Sequence, residues 1–515
     1  MGEPVKPSPS DMIEENGTPP FGSPPFLRSP PFPGIAPSVA AISEPATHVD
    51  RDISDDLFDL IRDARVGGAF WAGSEDPWTR LAQAQSVEAG IEDELALVAG
   101  LLEVPVIGPD GVRINPDLLR ATLKHRIGAA HYRDCFTGEP VGAEHAVAQL
   151  ADWRRHLDGN QGIAAATGMA FWKREAIRHF LWDGQRSPPF LSPRRGLRRA
   201  RYGQGALAIW PSRVPPTLVA QAQAQGVALA RVEDGFLRSR GLGAALHPPG
   251  SIVVDRSGIY YNALAANDLE TLLATQDFPP ALVERAARLR GRICASGVTK
   301  YGQDAGQMLD LPTGRRTVLA IGQVDDDLSV QLGGAGVADN LDFLARVRRA
   351  EPDAWIIYRP HPDVQAGHRK GHLADATVLA HADAIDSGSP LMALVQAVDE
   401  VHVLSSLTGF EALMRGCRVT VHGMPFYAGW GLTRDLAEPV GRRGRRLLLD
   451  ELVAAALILY PRYLDPVTRL PCGPEVMTDR LASGTMEPTT WLIRLRSVQG
   501  KLRRFMTLTA EYVHG

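Results

Sequence analysis

The chain has 515 residues, 44% of them hydrophobic and 22% charged, which is enough apolar sequence for a sizeable core and too much for a wholly disordered chain. Lys and Arg total 55 against 59 Asp and Glu, a formal net charge of −4, and this balance argues against a nucleic-acid coat or a polybasic membrane binder. Four scattered cysteines, Cys135, Cys294, Cys417 and Cys472, show no C-x-x-C spacing, so they predict a reduced cytosolic protein rather than a zinc site or a disulfide framework.

No charged-then-apolar leader opens the chain, and no run of about 18 apolar residues is present to span a membrane. Residues 1–50 are rich in Pro, Ser and Gly (SPPF, RSPPFPG) and read as a disordered tail. Residues 51–190 read as mostly helical, from the 3.6-type spacing in DISDDLFDLIRDAR, PDLLRATLKHRI and GAEHAVAQLADWRRHL. They end in the linker GQRSPPFLSPRRG. From Gly205 short apolar strands alternate with helices. ALAIW, VALARV and SIVVD are strands, IYYN closes a hairpin with SIVVD, and PPTLVAQAQAQG and PALVERAARLRGRICAS are helices. A second set begins at Arg316, with strands TVLAI, AWIIYR, EVHVLS and RVTVHG and helices NLDFLARVRRA, SPLMALVQAVD and TGFEALMRG. Leu452–Tyr460 reads as a buried helix. The fold class is therefore α/β, with two Rossmann-like domains, 205–310 and 311–435, facing a cleft, and C-terminal helices over 436–515. A weak internal repeat relates His131–Pro140 to Tyr460–Thr468, and region 51–190 would then be the remnant of an earlier module.

Five constellations carry chemistry. Glu233, Asp234 and Arg238 follow the strand VALARV, where open α/β sheets place ligands. Either carboxylate could act as acid or base, and an Asp-Gly turn with a solvated salt bridge fits the same residues. Asp325, Asp326 and Asp327 follow TVLAI. Adjacent carboxylates repel unless something uses them, as a metal or a nucleophilic carboxylate would; an exposed acidic turn is the plain alternative. Arg359 and His361 end a strand between prolines and suit a phosphate. Ser405, Ser406, Thr408 and Glu411 open a helix whose free N–H groups suit an anion, while Thr408 and Glu411 also fit a T-x-x-E capping box. His422–Thr433 is an aromatic loop that either packs a cleft or stacks a substrate.

In this order, EDGFLRSRGLG, PPGSIVVDRSGIYYN, KYG, QVDDDLSV, RPHPDV with GHRKGHL, SSLTGFEALMRG and GMPFYAGWGLT resemble the KpsC-type capsule polysaccharide proteins over roughly 205–470. These are retaining β-Kdo glycosyltransferases of Gram-negative bacteria. Full-length members carry two catalytic modules; this chain resembles one intact module, most like the second, behind a shortened region. The resemblance implies a GT-B fold with 205–310 on the acceptor side and 311–435 on the donor side. It implies CMP-Kdo as donor, no cofactor and no metal, and a phosphatidylglycerol-based, Kdo-tipped lipid as acceptor. Asp327 matches the family's nucleophile, the last acid of Q-x-x-x-D. Glu233 and Asp234 match its acid/base element. Arg359 and His361 match its phosphate-neutralising element, with Ser405, Ser406, Thr408 and Glu411 as donor holders. Arg238 is assigned the Kdo carboxylate on charge alone. Asp325 and Asp326 depart from the uncharged residues expected before the nucleophile and would raise its pKa unless they point away.

Two other functions compete: a non-catalytic capsule assembly or export protein, and a GT-B transferase using another nucleotide sugar. Expected partners are the lipid acceptor and capsule assembly or export proteins, with no nucleic acid. The expected location is cytoplasmic and peripheral on the inner membrane. Arg194, Arg195, Arg198, Arg199 and Arg201, or Arg442, Arg443, Arg445 and Arg446, could touch anionic headgroups there; solvated loops are the alternative.

Overall fold

In a computed structural model of the chain, the described residues are 24–46, 53–238, 248–299, 306–365, 367 and 369–485. KYG, the SRGLG stretch at 239–243, residues 1–23 of the Pro-rich segment and residues 486–515 lie outside them. Two compact bodies result. One is Met1–Gln161 with Leu181–Ser187 and Thr468–Cys472; the other is Gly162–Phe180 with Pro188–Val467 and Gly473–Gly515.

The first body contains β1 (Ser43–Pro45), β2 (Val87–Glu88), β3 (Val106–Ile107), β4 (Ala130–Arg133) and β5 (Pro140–Val141) among longer helices. Helix Asp55–Ala64 buries Leu57, Phe58 and Ile61, places Asp55 and Asp56 in its first turn, and stops on Arg65 in the left-handed region at φ 52°. Helix Ala143–Asp158 buries Ala146, Val147, Leu150, Trp153 and Leu157 at helical spacing. Residues 24–46 differ from the disordered tail expected over 1–50. Phe26, Leu27 and Ile42 are fully buried in this body's core, and β1 pairs antiparallel with β4. Proline removes backbone donors but does not prevent burial, and each such anchor contributes roughly 2 kcal/mol. The suggested repeat has a counterpart in local structure. Ala130–Arg133, Pro140–Val141 and the helix Ala143–Asp158 follow the same strand, strand, helix order as Pro461–Leu464, Pro471–Cys472 and the helix Pro474–Ser483.

The second body holds two sheets. In the first, β6 (Ile163–Thr167), β7 (Ala206–Ile209) and β8 (Leu229–Asp234) run parallel, and β9 (Ser251–Asp255) runs antiparallel to β8, with Glu233 opposite Val253. The second comprises β10 (Thr317–Ile321), β11 (Trp355–Arg359), β12 (Ala384–Ile385), β13 (Glu400–Val403), β14 (Arg418–Val421) and β15 (Arg434–Asp435). Its pairs are all parallel, in the order β12-β11-β10-β13-β14-β15. Counted from β10, this is strand order 3-2-1-4-5-6, whose reversal between β10 and β13 opens a crevice at the carboxyl ends of those strands. Its central strands β10, β13 and β14 are almost wholly buried, as strands of a parallel sheet covered on both faces should be, although only β10 (TVLAI) is a mainly apolar run.

Three expectations are corrected here. The first sheet gains β6, from inside the region read as helical, so it begins some 40 residues before Gly205. IYYN forms a turn rather than the second arm of a hairpin. Buried Asp255 accepts from the N–H groups of Ser257 at 3.1 Å and Gly258 at 2.6 Å, and this bends the chain out of the strand. The C-terminal segment is not all helical. The helix Leu449–Val453 passes into a π-helical turn, Ala454–Leu459, and β16 (Pro461–Leu464) then pairs antiparallel with β9.

Candidate active site

A cavity of about 810 Å³ lies in the second body, walled by residues from both sheets. The end of β8 supplies Glu233 and Asp234, and the turn after β9 supplies Tyr260 and Tyr261. The loop after β10 supplies Gln323, Asp326 and Asp327, and the end of β11 supplies Arg359 and His361. Ser405, Ser406, Thr408 and Glu411 complete it from the start of the helix Leu407–Met414. Nine of the ten sequence-derived site residues thus meet in one cavity, at the reversal point of the second sheet. The exception is Arg238. It is 1% exposed, is not among the cavity-lining residues, and donates its Nε–H to Asp234 Oδ2 at 2.7 Å. The expected contact with a substrate carboxylate is therefore corrected: this cation is spent on Asp234.

The three consecutive aspartates diverge. Asp325 Oδ1 accepts from Asn340 Nδ2 at 3.0 Å, and Asp326 pairs with Arg369 at 3.0 Å. Asp327 is the N-cap of the helix Leu328–Gly333, its Oδ1 accepting from Ser329 N at 2.9 Å and Ser329 Oγ at 2.8 Å. Burial, with the charges of Asp339 and Asp326, holds the Asp325 carboxyl above its usual range despite the hydrogen bond from Asn340. Separate partners for each carboxylate relieve the repulsion that the DDD run creates.

Arg359 pairs through Nη1 with Asp386, whose carboxylate also accepts from Ser389 Oγ at 2.8 Å. Burial raises the Asp386 pKa, but hydrogen bonds from Ser389 and Arg359 more than offset this and hold it low. His361 Nδ1 accepts from Asp363 N at 3.1 Å, which leaves the proton on Nε2 in the neutral ring. The N-cap of the helix Leu407–Met414 is Ser406, not Thr408, so the capping box expected of Thr408 and Glu411 does not form. Ser406 Oγ accepts from Thr408 N at 3.3 Å, and Glu411 is 7% exposed inside the helix at the cavity wall. Tyr427, fully buried, donates its hydroxyl hydrogen to Ser406 O. Gly409 permits this, because a Cβ there would collide with that hydroxyl. The SSLTGFE and FYAGWG motifs thus form one unit that sets the helix start.

Three residues here receive no role from the sequence, although Tyr260 and Tyr261 lie within the motif PPGSIVVDRSGIYYN. Lys173 sits in the short turn after β6 and places Nζ 2.8 Å from Asp234 Oδ1. Burial pushes the Lys173 pKa down, against the opposing pull of Asp234. Burial would raise the Asp234 pKa, but Arg238 and Lys173 outweigh it and hold that carboxyl below its usual range. Tyr260 and Tyr261 share the cavity wall with Glu233, and burial, with the charges of Glu233 and Asp327, lifts both phenols well above the usual range. Tyr261 is 8% exposed and its hydroxyl meets no hydrogen-bond partner among the described residues. Away from the cavity, Glu351, Glu400 and His402 lie close enough together to share an ion, but both carboxylates already meet Arg316, and Glu351 also meets Arg434 at 2.7 Å.

The two arginine groups have different fates. Arg442 and Arg443 are paired with Glu270, and Arg445 lies 3.7 Å from Glu451. This takes most of the second group away from any surface role. Arg194, Arg195, Arg198, Arg199 and Arg201 are exposed on the helix Pro193–Tyr202 rather than in a loop. Among the described residues, no helix is long and apolar enough to cross a membrane.

The chain is similar to known proteins in sequence and in fold. The chain is 38% identical over 356 residues to the capsule polysaccharide modification protein LipA of Neisseria meningitidis serogroup A, covering 69% of this chain and 50% of LipA. It is 47% identical over 242 residues to the lipopolysaccharide-processing protein LpsZ of Rhizobium meliloti, covering 46% of this chain and 54% of LpsZ. The chain spans about half the length of these relatives. Among solved structures it is similar to two from Thermosulfurimonas dismutans KpsC. The β-Kdo 2,7 transferase matches at TM-score 0.52 and 31% identity over 63% of this chain and 99% of that one. The β-Kdo 2,4 transferase matches at 0.53 and 32% over 62% and 98%. The family model described as capsule polysaccharide biosynthesis protein matches residues 205–463, half of the sequence and all of the cavity wall, and the chain belongs to that family.

Proposed function

We propose that this chain is a retaining β-Kdo transferase that moves Kdo from CMP-Kdo to a Kdo-tipped lipid acceptor in capsule or related surface polysaccharide synthesis. The single observation that carries the reading is the cavity between the two sheets, with Asp327 on the β10 side and Glu233 on the β8 side. Its similarity to two β-Kdo transferase structures supports the substrate class. On this reading the two sheets are the two halves of a GT-B fold, acceptor side first and donor side second.

Retention calls for a nucleophile on the opposite face or a front-face mechanism; with Asp327 in the cavity wall, the chemistry runs in two displacements. Asp327 attacks the anomeric carbon of Kdo; the new carboxylate–carbon bond forms as the carbon–phosphate oxygen bond breaks, and the electron pair leaves with CMP. Arg359, the Nε2–H of His361 and the N–H groups at the start of Leu407–Met414 face the departing phosphate and neutralise it. The acceptor hydroxyl then attacks the same carbon, the bond to Asp327 breaks, and Glu233 takes the hydroxyl proton. The pathway calls for no metal or cofactor, because the leaving group is a phosphate monoester that guanidinium and helix N–H groups can hold.

The test is CMP release from CMP-Kdo by purified protein, with a synthetic Kdo-tipped lipid followed by mass spectrometry. An acceptor heavier by one Kdo, absent with Asp327→Asn, is the expected result. No product from folded protein would sink the reading and favour an assembly or export role. Release of a different nucleotide from another sugar donor would replace the donor assignment.

A further inference from the structure

We propose that Lys173 is a positioning residue of the transfer reaction, holding Asp234 as a fixed anion together with Arg238, so that Glu233 alone exchanges protons with the acceptor. The proposal deepens the transferase reading and rests on it.

The geometry is specific. Asp234 Oδ1 accepts from Lys173 Nζ at 2.8 Å and Oδ2 from Arg238 Nε at 2.7 Å, so both oxygens hold charge-assisted hydrogen bonds. The side chains of Lys173 and Arg238 are 9% and 2% exposed, and that of Asp234 is 20% exposed. A proton on either Asp234 oxygen would displace one of these cations and leave it buried without a counter-charge. Asp234 is therefore unsuited to give and take protons in each turnover. The Lys173 ammonium is held from a third side by aromatic faces, 3.6 Å from the Trp210 ring centroid and 5.1 Å from that of Trp172. Three successive strand ends thus converge on one charge: Lys173 follows β6, Trp210 follows β7, and Asp234 ends β8.

This arrangement has a consequence for Glu233, the neighbouring residue on β8. Among the described residues, the charges of Asp234, Arg238 and Glu233 all act on Lys173, so the four groups form one electrostatic cluster. Among the described residues, Tyr260 and Tyr261 from the turn after β9 feel the charges of both Glu233 and Asp327, and Arg231 on β8 acts on Tyr261. Removing the Lys173 charge leaves Asp234 less neutralised, and its field then favours the protonated form of Glu233. Since Lys173 is not a cavity-lining residue, its effect on the reaction passes through the two carboxylates.

The experiment compares Lys173→Met, Lys173→Arg, Asp234→Asn and the Lys173→Met/Asp234→Asn double variant, each checked for folding by circular dichroism. Activity is read as kcat/KM across pH with CMP-Kdo and the Kdo-tipped lipid. Lys173→Met should lose about tenfold or more, with the acidic limb of its pH profile moved upward by about one pH unit. Lys173→Arg, which keeps the charge, should recover to within about threefold. The double variant should be no worse than the poorer single variant, because both act through one interaction. A folded Lys173→Met with an unmoved profile would overturn the proposal. So would multiplying losses in the double variant, or an Arg variant as poor as Met. If the unaltered protein shows no transfer at all, the transferase reading falls instead. The pairing is then read from melting temperature: non-additive losses for the two singles and the double support it, and additive losses refute it.

Discussion

The ends of β8 and β10 pose the same problem and solve it differently. Each brings adjacent carboxylates into one cavity. At β8 the answer is counter-charge: Lys173 from after β6 and Arg238 from the following loop clamp Asp234. At β10 the answer is divergence: Asp325 turns to Asn340, Asp326 to Arg369, and Asp327 caps a helix through Ser329. A clamped carboxylate is fixed in charge and poor at exchanging bonds. A capping carboxylate has Oδ1 engaged by neutral donors only, so its second oxygen is the one offered to an electrophile. The difference teaches that the two ends are built for different chemistry, and on the proposed reading these are proton management at β8 and covalent attack at β10.

The sharpest way to break that comparison is at Asp327. Asp327→Asn keeps the helix cap, since Asn caps as well as Asp, yet removes the carboxylate proposed as nucleophile. It should cut Kdo transfer by roughly a thousandfold or more with little change in melting temperature. Asp327→Ala should lose the same activity and, in addition, about 1 kcal/mol of stability from the missing cap. Asp326→Ala, which releases only a partly exposed pair with Arg369, should stay within about threefold of the parent. Initial rates and thermal melts of the four proteins are the measurement. Comparable losses at Asp326 and Asp327 would mean that the acidic run works as a unit, and the divergence argument would fail.

The next effect in size lies on the donor side. Arg359 is fixed by Asp386, which Ser389 in turn holds. Arg359→Met should lower kcat/KM for CMP-Kdo by about a hundredfold, the usual cost of one preorganised donor to developing charge. Lys at this position should recover little of it, because an ammonium cannot span Asp386 and a phosphate as a planar fork does. CMP should also inhibit the variant more weakly. Unchanged inhibition by CMP, measured against the parent, would move the phosphate away from β11.

Much of this was legible in the chain. Strand–helix alternation foretold the parallel second sheet, and the carboxylates, Arg359, His361 and the hydroxyl-bearing helix start were found because chemistry gathers at strand ends. What was not legible has physical causes. β6, Ile163–Thr167, is IAAAT, and alanine favours helices until a neighbouring strand makes a sheet edge the better burial. Phe26 and Leu27 hide in a Pro-rich stretch whose composition suggests disorder, although their burial depends on the body that receives them. The cap moved from Thr408 to Ser406 because Tyr427 fixes the Ser406 carbonyl, a contact made 21 residues away. Lys173 is 61 residues from Asp234, and no local pattern announces a counter-charge that only tertiary folding delivers.

The smallest expected effect is at Tyr261, and its two halves have opposite signs. The Tyr261 hydroxyl is buried in the cavity wall with no hydrogen-bond partner among the described residues. An unmet buried hydroxyl costs the free protein stability, on the order of 1 kcal/mol or more. The phenol cannot ionise to serve as a base near neutral pH, because burial and the charges of Glu233 and Asp327 hold its pKa far above that range. What it can do is exchange a hydrogen bond with substrate. Tyr261→Phe should therefore raise the melting temperature by a degree or two while lowering kcat/KM about tenfold, the worth of one hydrogen bond in a dry site. A stabilised variant with unchanged activity would show that the hydroxyl never meets the sugar. A destabilised one would show that it has a protein partner in solution, and the β8 side of the cavity would then owe its specificity to Glu233 and the Lys173–Asp234–Arg238 cluster alone.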